Sequence, residues 1–244
     1  MSTRWILILA VPLLAACSSV PTLVIGSDLE NEPFAYMDDM GVPQGRDVEM
    51  VEALGHALDR RIVWKRMPFD QLIDSVASGQ VDIVCATLGV TPEREAIVNF
   101  SIPYFATELS VVVTRGPSSP NSLADLAGKR VAGGVGTTSE RAIRKKLPES
   151  IGVFENKEEM STLERLTSGE VDAVVMDAPA ARALVAANAD ALAMLNEPLD
   201  TEHYALALNK AAGHLLEAVD RELSKFERRG SFHRWNQKFG LISN

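Results

Sequence analysis

Arg94 stands in an electrostatically awkward place. It follows Thr91-Pro92-Glu93, which reads as a helix start with Thr91 as N-cap and Pro92 at the first helical position. A cation in a first turn opposes the positive end of the helix dipole, so Arg94 either pairs with a nearby acid or waits for an anion. Its forked guanidinium suits a carboxylate. Gly136-Thr137-Thr138-Ser139 reads as a second helix start whose backbone N–H groups are free for a small anion, and Thr137 with Glu140 matches a capping box. Asp177 offers a carboxylate to an ammonium, or caps its own helix; Asp28 has the same two readings at a turn. Phe69 offers an apolar face at a helix start, or belongs to the core. A cation site and an anion site held on opposing elements would clamp a zwitterion.

The elements that must hold these groups show themselves through a repeat. Ser78-Gly79-Gln80-Val81-Asp82-Ile83-Val84 returns ninety residues later as Ser168-Gly169-Glu170-Val171-Asp172-Ala173-Val174. Both copies follow an amphipathic helix and enter an apolar strand. Both halves open with a short strand, Leu23 to Gly26 and Arg130 to Gly133. Two copies are too few for a solenoid, so the pattern predicts two similar α/β lobes. Asp82 and Asp172 then fall in separate lobes as strand-entry residues, not as a catalytic pair. Alternating strands and helices imply mostly parallel sheets, with ligands bound beyond the carboxyl ends of the strands. Asp28, the stretch from Thr87 to Arg94, Gly136 to Thr138, and Asp177 all lie at such ends. His203 to Leu208 reads as a return strand, and two helices close the chain.

Charge and cysteine usage narrow the classes. The 244 residues carry a formal charge of −9, with 46% hydrophobic residues. That is enough apolar sequence for a core, and the wrong sign for a nucleic-acid partner. The four histidines show no zinc spacing, and no metal or cofactor is expected. Arg4 followed by an apolar run to Leu14 is too short to span a bilayer. Leu14-Ala15-Ala16-Cys17 resembles a bacterial lipobox, with Cys17 as the lipidated (palmitate-bearing) residue and Ser18-Ser19 as linker. The other cysteine, Cys85, reads as a small buried hydrophobe.

Several pieces in order carry a resemblance. They are Leu23-Val24-Ile25-Gly26-Ser27-Asp28 with Pro33-Phe34, Gly45-Arg46-Asp47-Val48-Glu49-Met50, and Val81 through Phe100-Ser101-Ile102-Pro103-Tyr104. Later come Leu126-Ala127-Gly128-Lys129-Arg130-Val131-Ala132, Gly136-Thr137-Thr138-Ser139-Glu140, and Trp235 with Lys238-Phe239-Gly240. Together they resemble the polar amino-acid-binding branch, family 3, of the solute-binding proteins of bacterial ABC importers. The resemblance implies a two-lobe α/β periplasmic-binding-protein fold (type II). Each lobe would be a mostly parallel sheet flanked by helices, with two hinge strands near Ala106 to Leu109 and Thr201 to Tyr204. The expected division is a signal peptide over residues 1–16, a lipidated linker over 17–22, lobe 1 over 23–107, lobe 2 over 108–202, and a return to lobe 1 over 203–244.

The resemblance also implies roles. Arg94 would grip the ligand α-carboxylate, with backbone groups near Thr87, Gly89 and Thr138. Asp177 would take the α-ammonium, Phe69 would stack on the ligand side chain, and Asp28 would face that side chain or the ammonium. Asn31 and Arg46 depart from the pattern, since an aromatic is usual at both places; Arg46 is expected to pair with Glu30 or Glu32, with contact to an acidic ligand as the alternative. The function implied is capture of an amino acid or similar zwitterion by a monomer, lipid-anchored on the extracytoplasmic (periplasmic) face, for delivery to an ABC permease and its ATPase. An enzyme on the same fold, such as a cyclohexadienyl dehydratase acting on arogenate or prephenate, and a ligand-binding sensor partner are the alternatives.

Overall fold

The computed structural model describes residues 20–154 and 161–241. Cys17 and the leader lie outside the described residues. The chain runs β1 (Thr22–Ser27), β2 (Glu30–Asn31), β3 (Ala35–Met37), β4 (Pro43–Gln44), α1 (Arg46–Ala57), β5 (Arg61–Arg66), α2 (Leu72–Ala77), β6 (Ile83–Val84), α3 (Pro92–Glu95), β7 (Asn99–Phe100) and β8 (Phe105–Thr114). It continues through β9 (Arg130–Gly133), α4 (Thr138–Lys146), β10 (Ile151–Phe154), α5 (Thr162–Thr167), β11 (Ala173–Asp177), α6 (Ala178–Ala187), β12 (Leu192–Met194), β13 (Asp200–Tyr204), β14 (Ala207–Leu208), α7 (Gly213–Arg228) and α8 (Ser231–Lys238). Two short 3₁₀ turns, Phe69–Gln71 and Leu123–Leu126, precede α2 and β9.

The two expected lobes are present, each built on one sheet. The first has the order β5-β1-β6-β14-β7, with β1 parallel to β5 and β6, and β14 antiparallel to its neighbours. The second has the order β10-β9-β11-β8-β12, with β13 also paired to β8. Its strands β10, β9 and β11 are parallel, while β8 runs against β11, β12 and β13. Side-chain alternation explains why both faces of these sheets are covered. In β1, Leu23 and Ile25 join the core beneath α1 and α7, while Val24 turns to the α2 side. In β8, Val111 and Val113 face one core and Val112 the other.

The internal repeat serves the same structural purpose twice. Gly79 and Gly169 take left-handed φ values of 76° and 72° just past α2 and α5, the conformation that ends a helix and that glycine adopts without a Cβ clash. The Asp82 carboxylate then accepts the backbone N–H of Val24 at 2.7 Å, and Asp172 accepts that of Arg130 at 2.8 Å. Each aspartate ties its incoming strand to the neighbouring parallel strand, as expected of strand-entry residues.

Segments β8 and β13 run side by side and antiparallel, Asp200 opposite Leu109 through Tyr204 opposite Phe105. They fall where the two hinge strands are expected. The return strand is split, however. β13 stops at Tyr204, which bridges to Gly89, and pairing resumes only at Ala207 as β14. The chain changes sheets across that gap.

Arg46 corrects an expectation. It does not reach Glu30, which pairs with Arg66 at 2.6 Å. Instead it is fully buried at the start of α1, where Gly45 (φ 123°) lets the chain pass so close to Phe34 that a Cβ would collide with its carbonyl. The guanidinium bonds Asp47 Oδ1 at 2.8 Å, Asn236 Oδ1 at 3.0 Å and the Tyr104 carbonyl at 3.1 Å. It also lies over the rings of Tyr104, Phe105 and Phe232. An arginine that fills its donors and stacks on three rings replaces an aromatic without leaving an unsatisfied charge. Cys85 is buried as expected, its thiol pushed well up by burial and by Asp47.

Candidate functional site

Between the two sheets lies a cavity of about 860 Å³. Asp28, Phe69, Thr87, Gly89, Arg94, Thr138 and Asp177 all line it, so residues from both halves of the sequence converge there.

Arg94 owes its position to the cap. Thr91 Oγ1 accepts the Arg94 backbone N–H at 3.2 Å, with Pro92 opening α3 as read from the sequence. The guanidinium does not fold back onto a local acid. Its NH1 donates to the Gly89 carbonyl at 2.7 Å, and its NH2 crosses to the Gly136 carbonyl at 3.0 Å. Its ordinary value is lowered by burial, partly offset by Glu202 and Glu93. Glu93 is engaged elsewhere, paired with Arg141 of α4 at 3.0 Å across the cleft. The Phe69 ring sits 5.6 Å below the Arg94 guanidinium, so one of its faces holds the cation in place.

The helix start at α4 differs in detail from the sequence reading. Thr137 is the N-cap and accepts Glu140 N–H. Glu140, however, reaches past the cap to the Gly136 N–H at 2.8 Å, and the Thr137 N–H is spent on the Gly134 carbonyl. The expected free amides at Gly136 and Thr137 are therefore occupied. Only the amides of Thr138 and Ser139 stand in a first turn where the helix supplies no acceptor.

Thr87 adopts φ 47°, a left-handed conformation that is costly for a β-branched residue and that concentrates at functional sites. Its Oγ1 accepts from Asn31 Nδ2 at 2.6 Å and donates to the Ala86 carbonyl. Asn31 thus presents an amide, not a ring, to the cavity wall. Asp28 is held above the usual carboxylate range by burial and then by Glu30, against backbone hydrogen bonds that lower it; its Oδ1 is buried with no hydrogen-bond partner among the described residues.

Asp177 is the N-cap residue of α6, yet its side chain makes no capping bond. It accepts instead from the Tyr204 hydroxyl. Tyr204 is itself packed among Phe34 and Phe105, with centroids 5.5 and 5.7 Å away. Burial raises Asp177 above its ordinary value, and the Tyr204 hydrogen bond opposes that rise.

The sequence reading missed Glu202. It lies on β13, is 6% exposed, and joins the cavity wall. A period of two from the buried Tyr204 would have turned it inward, but the segment reads as a connector between lobes. Thr138 Oγ1 donates to its Oε1 at 2.6 Å. Arg94, the Phe69 ring and the carboxylates of Asp28, Asp177 and Glu202 therefore face a cavity with ample room for an amino acid, whose wall Glu30, Arg66 and Asp70 also join.

The sequence model of the bacterial extracellular solute-binding proteins, family 3, matches residues 23–242. The probable amino-acid-binding protein YxeM of Bacillus subtilis is 28% identical over 222 residues, covering 89% of this chain and 83% of that protein. The L-cystine-binding protein TcyJ of Escherichia coli K12 is 27% identical over 219 residues, with 89% and 82% covered. Among solved structures, an ancestral arginine-binding protein bound to arginine superposes with a TM-score of 0.80 at 32% identity, over 89% of this chain and 97% of that one. All three are binding proteins, and this chain likewise is a binding protein, not an enzyme. With the family model matched over residues 23–242 and the fold superposing on a solved binding protein at 32% identity, the chain belongs to the family 3 bacterial extracellular solute-binding proteins.

Proposed function

We propose that this protein captures an amino acid between its lobes and delivers it to an ABC permease, held to a bacterial membrane on its outer side through Cys17. The single observation that carries the ligand assignment is the placement of Arg94 on one lobe and Asp177 on the other, facing one cavity of about 860 Å³. Arg94 takes the α-carboxylate, joined by backbone groups at Gly89 and Thr138, and Asp177 takes the α-ammonium. Thr87 and Asn31 supply uncharged polar contacts. Asp28, with its unpartnered Oδ1, faces the ligand side chain. The relatives named for amino acid, L-cystine and arginine support an amino-acid ligand.

A thermal-shift screen against the amino acids tests this reading. Ligand at about a hundred times its Kd stabilises the bound state by roughly 2.7 kcal/mol, which corresponds to a rise of several degrees in Tm for a chain of this size. A flat response across the whole set would contradict amino-acid capture.

The anchor is tested separately. No helix among the described residues is long and apolar enough to cross a membrane, so membrane association would rest on the lipid. Cys17→Ser is expected to move the protein from the membrane to the soluble fraction without changing its ligand affinity. Unaltered fractionation would remove the lipobox from the account.

A further inference from the structure

Glu202 is placed at a cost. Its Oε2 is buried and receives no hydrogen bond from a donor group among the described residues; it lies against the Asp177 carboxylate, with which a protonated Glu202 shares a hydrogen bond, and two buried carboxylates side by side without a cation are unfavourable. The fold nonetheless makes room for it. A Cβ at Gly89 would collide with Glu202 Oε1, so glycine at residue 89 leaves the carboxylate the place it occupies. Thr138 Oγ1, at the start of α4, fixes Oε1. Three further groups act on it electrostatically: Asp177 from the end of β11 and Tyr204 from its own strand on the acidic side, and Arg94 of α3 as the cation. On β13 it stands opposite Thr107 of β8, an uncharged neighbour.

We propose that Glu202 and Asp177 together form a two-carboxylate seat for the ligand ammonium, set against the hinge strands. An ammonium has three donors and no acceptor. Tyr204 already uses Asp177 Oδ2, so a single aspartate would leave part of that demand unmet, and Glu202 Oε2 supplies the missing acceptor. The inference rests on the amino-acid reading of the cavity and adds to it a residue and a proton. Burial and the adjacent Asp177 push the Glu202 carboxyl up to about 8, so without ligand it carries a proton near neutrality. The incoming ammonium forms its hydrogen bond to the ionised carboxylate, and the displaced proton leaves to bulk water. Binding is thereby coupled to pH. Affinity should rise about sevenfold to fiftyfold from pH 6 to 8, with about half to one proton released per ligand at pH 7.

The same proton fixes a sign for stability. Between about 4.5 and 8 the folded state holds a proton that the unfolded chain has lost. This residue's contribution to ligand-free stability is therefore full below that window and declines as pH rises through it.

Calorimetric titration of the native protein with the amino acid giving the largest thermal shift, in two buffers of different ionisation enthalpy at pH 6, 7 and 8, measures the released proton directly. Glu202→Gln should abolish the release, flatten the pH profile and weaken binding at pH 8 by about ten- to a hundredfold, while the ligand-free Tm at pH 8 stays the same or rises. Glu202→Asp should keep the release at reduced affinity, and serves if the glutamine variant does not fold. Native protein that binds without releasing a proton, or a glutamine variant with native affinity and pH slope, would overturn the proposal. Absence of any amino-acid binding by the native protein would instead refute the reading on which it rests.

Discussion

Arg94→Ala is expected to abolish amino-acid binding at ordinary ligand concentrations while leaving the protein folded. The argument begins with the helix. Alanine keeps the α3 backbone and the Thr91 cap, which holds the residue 94 amide and not its side chain. It removes a buried guanidinium and its two carbonyl contacts, at Gly89 and Gly136. Both acceptors lie on cavity-lining segments that water can enter once the side chain is gone. The folded state therefore loses little, and removing a cation from the first turn relieves the helix dipole. The ligand loses much more. A desolvated carboxylate facing Asp177, Glu202 and Asp28 with no counter-charge is unfavourable, and truncating one partner of such a pair costs about 2–5 kcal/mol. That is roughly thirtyfold to several thousandfold in Kd. Calorimetry checks the affinity and thermal unfolding checks the fold. Near-native affinity would remove Arg94 from the site; collapse of the fold would give it a structural role instead.

Asp47→Ala is expected to have the largest effect on stability. Asp47 accepts from Arg46 NH1 at 2.8 Å and from the Tyr104 hydroxyl at 2.7 Å, and Cys85 Sγ approaches the same oxygen as Tyr104 at 3.9 Å. Arg46 and Asp47 side chains are both 0% exposed. Alanine leaves the Arg46 charge buried beside a cavity, with a tyrosine hydroxyl unmatched. Breaking a buried pair in this way costs about 3–5 kcal/mol, or roughly 6–20 °C in Tm for a chain of this length. The effect should reach the ligand site too. Arg46 underlies Tyr104 and Phe105, Phe105 stacks on Tyr204, and Tyr204 orients Asp177. A loss of Tm below about 1 kcal/mol equivalent would show that the pair contributes little over its desolvation cost.

These two residues mark what the sequence could and could not reveal. Arg94 and Asp177 were legible because local signals placed them. A Thr-Pro cap fixes the first, and the internal repeat carries the second to a strand end, where parallel sheets bind ligands. Thr138 was legible for the same reason, though Glu140 reached the Gly136 amide and so took one of the donors that the motif offered. Arg46 was misread because, beyond the adjacent Asp47, the partners that bury it are remote: Asn236 lies 190 positions away, and Tyr104 lies 58. Glu202 was missed because its one local signal, the period of two from Tyr204, falls in a segment that reads as a connector between lobes. Its role depends on Thr138, 64 positions away, and on Gly89 and Asp177, which only the closed fold brings together. Local capping and periodicity position single side chains, whereas buried charge networks depend on which distant groups arrive to satisfy them.

The central claim is that both charged ends of an amino acid are held at once, the carboxylate by Arg94 and the ammonium by Asp177 with Glu202. The most direct test is calorimetric titration of the native protein with its best amino-acid ligand, then with the methyl ester and the N-acetyl derivative of that ligand. Each derivative removes one charge, and each is expected to lose about a hundredfold or more in affinity. A derivative that binds as tightly as the parent amino acid would contradict the clamp at the end it has blocked.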